Sequence, residues 1–481
     1  MRARSSLLLL AAFCLPVSAR QEPPPSGAVL FEGATVVTDP QTAPLLRGRV
    51  IVSDERIVCL SDERGCPFDG EERLDLRGLW IAPGLIDAHA HVELRRAPER
   101  ALDEQRRRFA LGITAVRDAG TDALDELLAE KKVAADPELF RPRLLVTARL
   151  APDEDPWEAV PRLVARGVDG IKLKDPADAQ RLEKSVEAAR AAGTLISGHT
   201  WNGTPPRSFT VEAVRSGVHG VVHLESLPPL AVPPSMLERF PNPDLRAGAF
   251  DRWRKGLWAH AELDRLEPLL REMVDRDVWL EPSLAFEYSF GRRLEVSESL
   301  RYLAGPPFSV RGWLRSLPAR GEGPRFPESY ERMEELVLRF HALGGTLVAG
   351  SDGVLAGLDL LAEIDLLSRA GLGEVAAWAA ATQNAARAVG RADLGTLAAG
   401  QTADFVIYRR DPRSSRAGRL SVDRVVKGGV VHDPRPYLAA TEKAWQTLDA
   451  ERWARRWQRL GLLALALLLG VAALFWRRRR S

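Results

Sequence analysis

The segment Asp87-Ala88-His89-Ala90-His91 sets two imidazoles two residues apart inside the apolar run LIDAHAHV. Side chains alternate along a strand, so both rings point to one face. Two imidazoles fixed in this way make half of a zinc-type site. Alone, the pattern is also that of an ordinary polar strand. Further along, single chemistry-bearing residues close other short apolar runs: Lys172 after GVDGI, His199 after LISG, His223 after GVV and Asp352 after TLVAGS. Each is an ordinary residue when taken singly. Taken together, four of the chain's eight His plus a Lys and an Asp at the ends of apolar runs describe one functional centre built around the metal half-site.

Other residues carry weaker signals. Lys174 shares a strand face with Lys172 and is a rival for its role; otherwise it is a solvated lysine beside Asp175. Arg117, at the end of ITAV, offers a planar fork to a substrate carboxylate, or else forms a structural ion pair. Tyr288, after EPSLAFE, is placed to contact substrate. His219, His260, His341 and His432 read as structural or surface residues. Cys59 and Cys66 flank the short stretch LSDERG and are expected to form a disulfide.

The elements that must position these groups follow from the pattern. Eight strand-like runs (LIDAHAHV, ITAVRDAG, RLLVTA, GIKLK, LISGHT, GVVHLES, VWLEPSL and TLVAGSD) alternate with stretches of helical spacing such as Ala177–Ala192 and Glu328–Leu343. Repeated βα units predict an α/β fold, a (β/α)8 TIM barrel over 83–393, in which catalytic groups gather at the C-terminal ends of the strands. Short β-runs before it (Val29–Trp80) and after it (LGTLAAGQTADFVIY, VDRVVKGGVVHD) predict a small split β-sandwich domain from 28–82 plus 394–435. Residues 436–459 read as a helical stalk.

The chain has 481 residues, with 45% hydrophobic and 27% charged, a globular balance that excludes disorder and collagen-like repeats. Removing the three Arg of residues 1–20 and the eight of 452–481 from the net charge of +2 leaves the body at −9, which argues against nucleic acid as a partner. Met1–Ala19 has the three-part pattern of a signal peptide. Leu460–Trp476 is uncharged and spans about 26 Å as a helix. It is flanked by Trp457 and Trp476 and followed by Arg477–Arg480, the pattern of a transmembrane anchor. The expectation is therefore an exported protein, held in the inner membrane by this helix, with its catalytic domain in the periplasm and 477–481 in the cytosol.

PGLIDAHAH, GITAVRDAG, GVDGIKLK, the run-ending His199 and His223, GSD and the tail GTLAAGQTADFVIYRRDP resemble the metal-dependent amidohydrolase superfamily, over roughly 28–435. The nearest resemblance is to its imidazolonepropionase-like group, which includes dipeptidases and carboxypeptidases. The resemblance implies two divalent metal ions, zinc first among them. His89, His91 and Asp352 would hold the more buried ion, His199 and His223 the second, and Lys172, carboxylated by CO2, would bridge them. It further implies hydrolysis of an amide bond of a dipeptide or N-acyl amino acid by a metal-bridging hydroxide, with Asp352 passing the proton to the leaving amine. The bridging lysine argues against imidazolonepropionase activity itself. The loop LKDPADAQ is shorter than the superfamily often has, and Ser351 stands where Thr is frequent. Two alternatives stay open: a mononuclear cyclic amidohydrolase or deaminase, and a non-catalytic binding protein on the same fold.

Overall fold

A computed structural model of the chain describes residues 27–151, 153–174, 176–203, 206–239, 249–291, 326–353 and 356–439. Its larger sheet holds seven strands: β1 (Leu85–Ala90), β2 (Ile113–Asp118), β3 (Arg143–Arg149), β4 (Gly170–Leu173), β5 (Leu195–Gly198), β6 (Gly220–Val222) and β7 (Trp279–Glu281). They lie side by side in chain order and run parallel. Every residue of β1 and β2 is buried, as in a parallel sheet covered on both faces. Helices separate successive strands, among them Pro98–Ala110, Leu124–Ala134, Pro156–Ala165 and Ala179–Ala191. Asp155 and Asp178 cap the last two by accepting from the backbone N–H of Trp157 and Arg181.

The eighth apolar run takes a different form. Leu347 makes a single parallel bridge to Leu280 of β7. Ala349 carbonyl oxygen accepts from the Ala88 amide of β1 at 3.2 Å. The segment thus touches both edge strands of a curled, TIM-barrel-like sheet. Its amides divide among three partners: Val348 N–H to Leu280 O of β7 at 3.0 Å, Ala349 N–H to Ala380 O and Asp352 N–H to His89 O of β1, both at 2.8 Å, so neither edge receives a regular ladder.

Chain from both sides of this unit builds the second sheet. Val29–Val36, Leu45–Ser53, Arg56–Ser61, Arg73–Asp75 and Trp80–Pro83 join Phe405–Tyr408, Val422–Lys427 and Val430–His432 in one eight-stranded, hydrogen-bonded sheet. The seam is the antiparallel pairing of Phe405–Tyr408 with Trp80–Pro83. Phe31, Val36, Val50, Val52, Ile81, Phe405 and Ile407 form its apolar cluster, with Phe31 and Phe405 edge to face at 5.0 Å. Cys59 and Cys66 are joined by a disulfide, their Cα atoms 5.7 Å apart. The two units are tied by the buried pair Arg143–Asp404 at 2.7 Å.

The expectation of membrane anchoring is corrected here. Among the described residues no helix is long and apolar enough to cross a membrane. The segment Leu460–Trp476, on which the membrane partner and inner-membrane location rested, lies outside the described residues, as do Met1–Ala19 and most of 436–459.

Candidate functional site

The C-terminal ends of the parallel strands bring six of the singled-out residues to one place. His89 lies in β1 and His91 just past it, Lys172 lies in β4, His199 and His223 follow β5 and β6, and Asp352 follows the Leu347 bridge. Asp352 is the hub. Its carboxylate oxygens lie 3.7 Å from His89 Nε2, 3.3 Å from His91 Nε2 and 3.3 Å from His223 Nε2. Lys172 Nζ lies 3.4 Å from His89 Nε2. The His199 and His223 rings meet edge to face with centroids 5.0 Å apart, and His199 also stacks on Trp201.

Local backbone choices make this convergence possible. The pairing register of β1 with β2 shifts between Asp87 and Ala90. Asp87 accordingly turns to Ser351, accepting from its Oγ at 2.7 Å, whereas His89 turns to Glu281. His223 and Asp352 both sit at positive φ, 64° and 38°, a conformation that costs L-residues energy and recurs at functional sites. Gly350 has to be glycine: a Cβ there would stand 2.5 Å from His89 Cβ and 2.7 Å from Glu281 Cδ.

The electrostatics favour lone pairs over protons on the rings. Burial holds His89 and His199 well below the ordinary histidine value, and the neighbouring Lys172 adds to this. Burial likewise brings His223 down to about 3. The same cause lowers Lys172 to about 8, so its amine is more readily neutral than that of a surface lysine. For Asp352, burial pushes upward, but the hydrogen bond from His91 and the electrostatic pull of the surrounding His223, His91 and Lys172 outweigh it and the carboxyl is lowered. A neutral imidazole, with one bare nitrogen, and an ionised carboxylate are the forms that bind a divalent cation. His89, His223 and Asp352 each direct an atom into a space where all three lie within 4.8 Å of one another. The buried Nδ1 atoms of His199 and His223 have no hydrogen-bond partner among the described residues. This donor set suits a metal ion.

Of the two weaker substrate-binding signals, the structure describes the side chain of Arg117 alone. Arg117 is buried and directs its donors to Ala88 O at 2.5 Å, Ser197 Oγ at 3.1 Å and Glu281 Oε2 at 3.1 Å. It forms the structural ion pair and offers no fork to a ligand. Tyr288 lies in the helix Leu284–Gly291, and its side chain is outside the described residues. Lys174 is exposed just beyond β4, near enough for its charge to act on His199. His219 Nδ1 accepts from Ile196 N–H and His432 Nε2 meets Pro137 O, both structural roles.

The residue missed in the sequence is Glu281. It is fully buried, hydrogen-bonds His89 Nδ1 and is pushed up to about 7 by burial, against the pull of Arg117. Its signal was present: Glu281 ends β7 just as His199 and His223 follow β5 and β6. Thr121 was missed as well; its Oγ1 lies 3.4 Å from His91 Nδ1.

Residues 328–432 match the amidohydrolase family. A 64-residue stretch is 34% identical to a 5-methylthioadenosine/S-adenosylhomocysteine deaminase of Bacillus thuringiensis (strain Al Hakam), covering 13% of this chain and 15% of that protein. The chain thus spans only a small part of the curated relatives it matches. Among solved structures, a Xaa-Pro dipeptidase with bound methionine in its active site aligns over 84% of this chain and 100% of its own, with a TM-score of 0.58 and 16% identity. A bottromycin amidohydrolase aligns over 87% and 90% respectively, with a TM-score of 0.63 and 24% identity. The family match to 328–432 agrees with the superfamily that the motifs resemble, and the solved structures share the fold.

Proposed function

We propose that the chain is a metal-dependent amidohydrolase that cleaves the C–N bond of a dipeptide or an N-acyl amino acid. The observation that carries this reading is the convergence of His89, His223 and Asp352 at the C-terminal end of a parallel sheet, with His91, His199 and Lys172 around them. His89, His91 and Asp352 would hold one divalent ion, His199 and His223 a second, and Lys172 as a carbamate would join them. A bound metal supplies Lewis acidity to the scissile carbonyl and acidifies a water. The barrel over 83–393 is read as closed through the Leu347 bridge. Residues 28–82 and 394–435 are read as one composite domain, its sheet folded over the Phe31–Phe405 cluster.

The chain's own groups have distinct tasks. Arg117 holds Glu281, and Glu281 holds the Nδ1–H of His89, which leaves Nε2 aimed at Asp352 and Lys172. This carboxylate–histidine arrangement fixes tautomer and ring orientation. Asp352 is ionised and central, so it accepts the proton of the attacking water and returns it to the leaving nitrogen. Lys172 carries the lowered amine that carboxylation by CO2 requires, since only a neutral amine reacts.

The match to a deaminase favours a second reading, hydrolytic deamination, in which the leaving group is ammonia. A screen of the purified full chain, loaded with zinc or manganese, against dipeptides, N-acyl amino acids and adenine nucleosides tests both. Release of a free amino acid supports the first reading and release of ammonia from a nucleoside the second. No turnover of any of these classes would overturn both.

A further inference from the structure

We infer that a cationic cavity beside the histidine cluster is a subsite for a carboxylate carried by the substrate. The inference rests on the hydrolase reading above and narrows its substrate class to acidic amides. The cavity has a volume of about 330 Å³ and is lined by Arg95, Arg96, Arg149 and Lys174, with Glu93 and Asp122 as its acids. Arg95 is held by Glu126 through two hydrogen bonds at 2.9 and 3.2 Å, so among the described residues Arg96, Arg149 and Lys174 face Glu93 and Asp122 and leave an excess of positive charge.

Its place in the fold ties it to the site. Arg149 ends β3, Lys174 follows β4, and Arg95 and Arg96 follow β1, so the cavity opens at the same end of the sheet as the cluster. Thr121, also in its wall, reaches His91 Nδ1 at 3.4 Å. Gly120 allows a close approach: a Cβ there would stand 2.9 Å from Arg149 Cγ and 3.2 Å from Lys172 Cβ. Arg149 therefore packs beside the strand that carries Lys172.

Three of the cations are weakly committed. Arg149 Nη1, half-buried, pairs with the exposed Asp122 at 3.2 Å, and Arg96 pairs with Glu93 at 3.8 Å in an exposed contact of the kind that contributes little. Arg149 Nε is buried with no hydrogen-bond partner among the described residues. Lys174 forms no ion pair among them. A carboxylate entering the cavity meets a planar fork and an ammonium, the pairing that gives short, charge-assisted hydrogen bonds.

The test separates this subsite from the hydrolase reading by measuring binding without turnover. Equilibrium dialysis of the metal-loaded full chain at low salt compares N-methylsulfonyl-L-glutamate with N-methylsulfonyl-L-glutamine, a neutral isostere; both carry a sulfonamide in place of the scissile amide. The expected result is at least about tenfold tighter binding of the glutamate, reduced about tenfold in Arg149→Gln and in Lys174→Gln. Arg271→Gln, on the outer helix Glu267–Asp275, serves as the control and retains the preference. The same ratio is then read as kcat/KM for Ala-Glu against Ala-Gln. Glutamate preference in dialysis with no hydrolysis of any amide upholds the subsite and sinks the hydrolase reading. Hydrolysis without glutamate preference, or a preference untouched by both substitutions, overturns the subsite alone. Displacement of N-methylsulfonyl-L-glutamate by inorganic phosphate at equal concentration overturns the carboxylate assignment.

Discussion

The inner wall of the site and its rim use the same residue types in opposite ways. On the inner wall, Arg117, Glu281 and His89 form a chain whose side chains are 4%, 0% and 1% exposed. On the rim, Arg149 and Asp122 pair with exposures of 27% and 79%. A buried charge left without its partner carries a large desolvation penalty, so each inner group fixes the next. An exposed pair is screened and loosely held, so the rim can exchange an internal carboxylate for one on a ligand. The inner wall sets geometry, and the rim is free to set selectivity.

The largest effect expected is at the hub. Asp352→Asn keeps the size of the side chain but removes the proton acceptor and a ligand charge, and turnover should fall about a hundred- to ten-thousandfold. A loss of less than tenfold in initial-rate assays would place proton transfer elsewhere.

Glu281→Gln probes the inner wall itself. It removes the charge between His89 and Arg117 while preserving shape, and metal affinity should fall about ten- to a hundredfold in chelator competition. An unchanged affinity would mean that the inner chain is packing and not support for the site.

Asp393 stands between the two extremes, with a side chain 30% exposed and contacts to Arg391, Arg56 and Thr402 that join the barrel to the β-sheet unit. The hydrogen bond from Arg391, followed by that from Thr402, holds its carboxyl below the ordinary aspartate value. A depressed folded-state value stabilises above the unfolded one, so the contribution is present above about pH 4 and fades as pH falls further. Asp393→Asn should lose about 1 kcal/mol in denaturant melts at pH 7, with the gap to the parent shrinking toward pH 3. A gap that widens on acidification would reverse the assignment. The smallest effect is expected at the rim: Asp122→Asn should change stability by less than about 0.5 kcal/mol. A loss comparable to that of Asp393→Asn would erase the contrast between wall and rim.

Much of this was legible in the sequence because strand ends are local signals. An apolar run closed by His, Lys or Asp needs no knowledge of partners, and His89, Lys172, His199, His223 and Asp352 were found that way. Glu281 was not, because its meaning comes from His89 and Arg117, far away in the chain and joined to it only by the curl of the sheet. Arg117 was weighed between ligand and ion pair on the same ground, and the buried geometry decides for the ion pair. The eighth run kept its apolar pattern but became a bridge, since its amides are divided among Leu280, Ala380 and His89. The composite sheet was readable as two β-rich stretches. Its seam between Trp80–Pro83 and Phe405–Tyr408 is a matter of pairing, which composition does not carry.

The central claim, that these side chains form a two-metal centre bridged by Lys172, is tested most directly by metal content per chain. The purified full chain, reconstituted with zinc in bicarbonate buffer and freed of excess by gel filtration, should carry two equivalents by plasma mass spectrometry. Lys172→Ala should drop to one or none, while Lys174→Ala should keep two. A parent chain that holds no metal, or a Lys172→Ala variant that still holds two, would contradict the account.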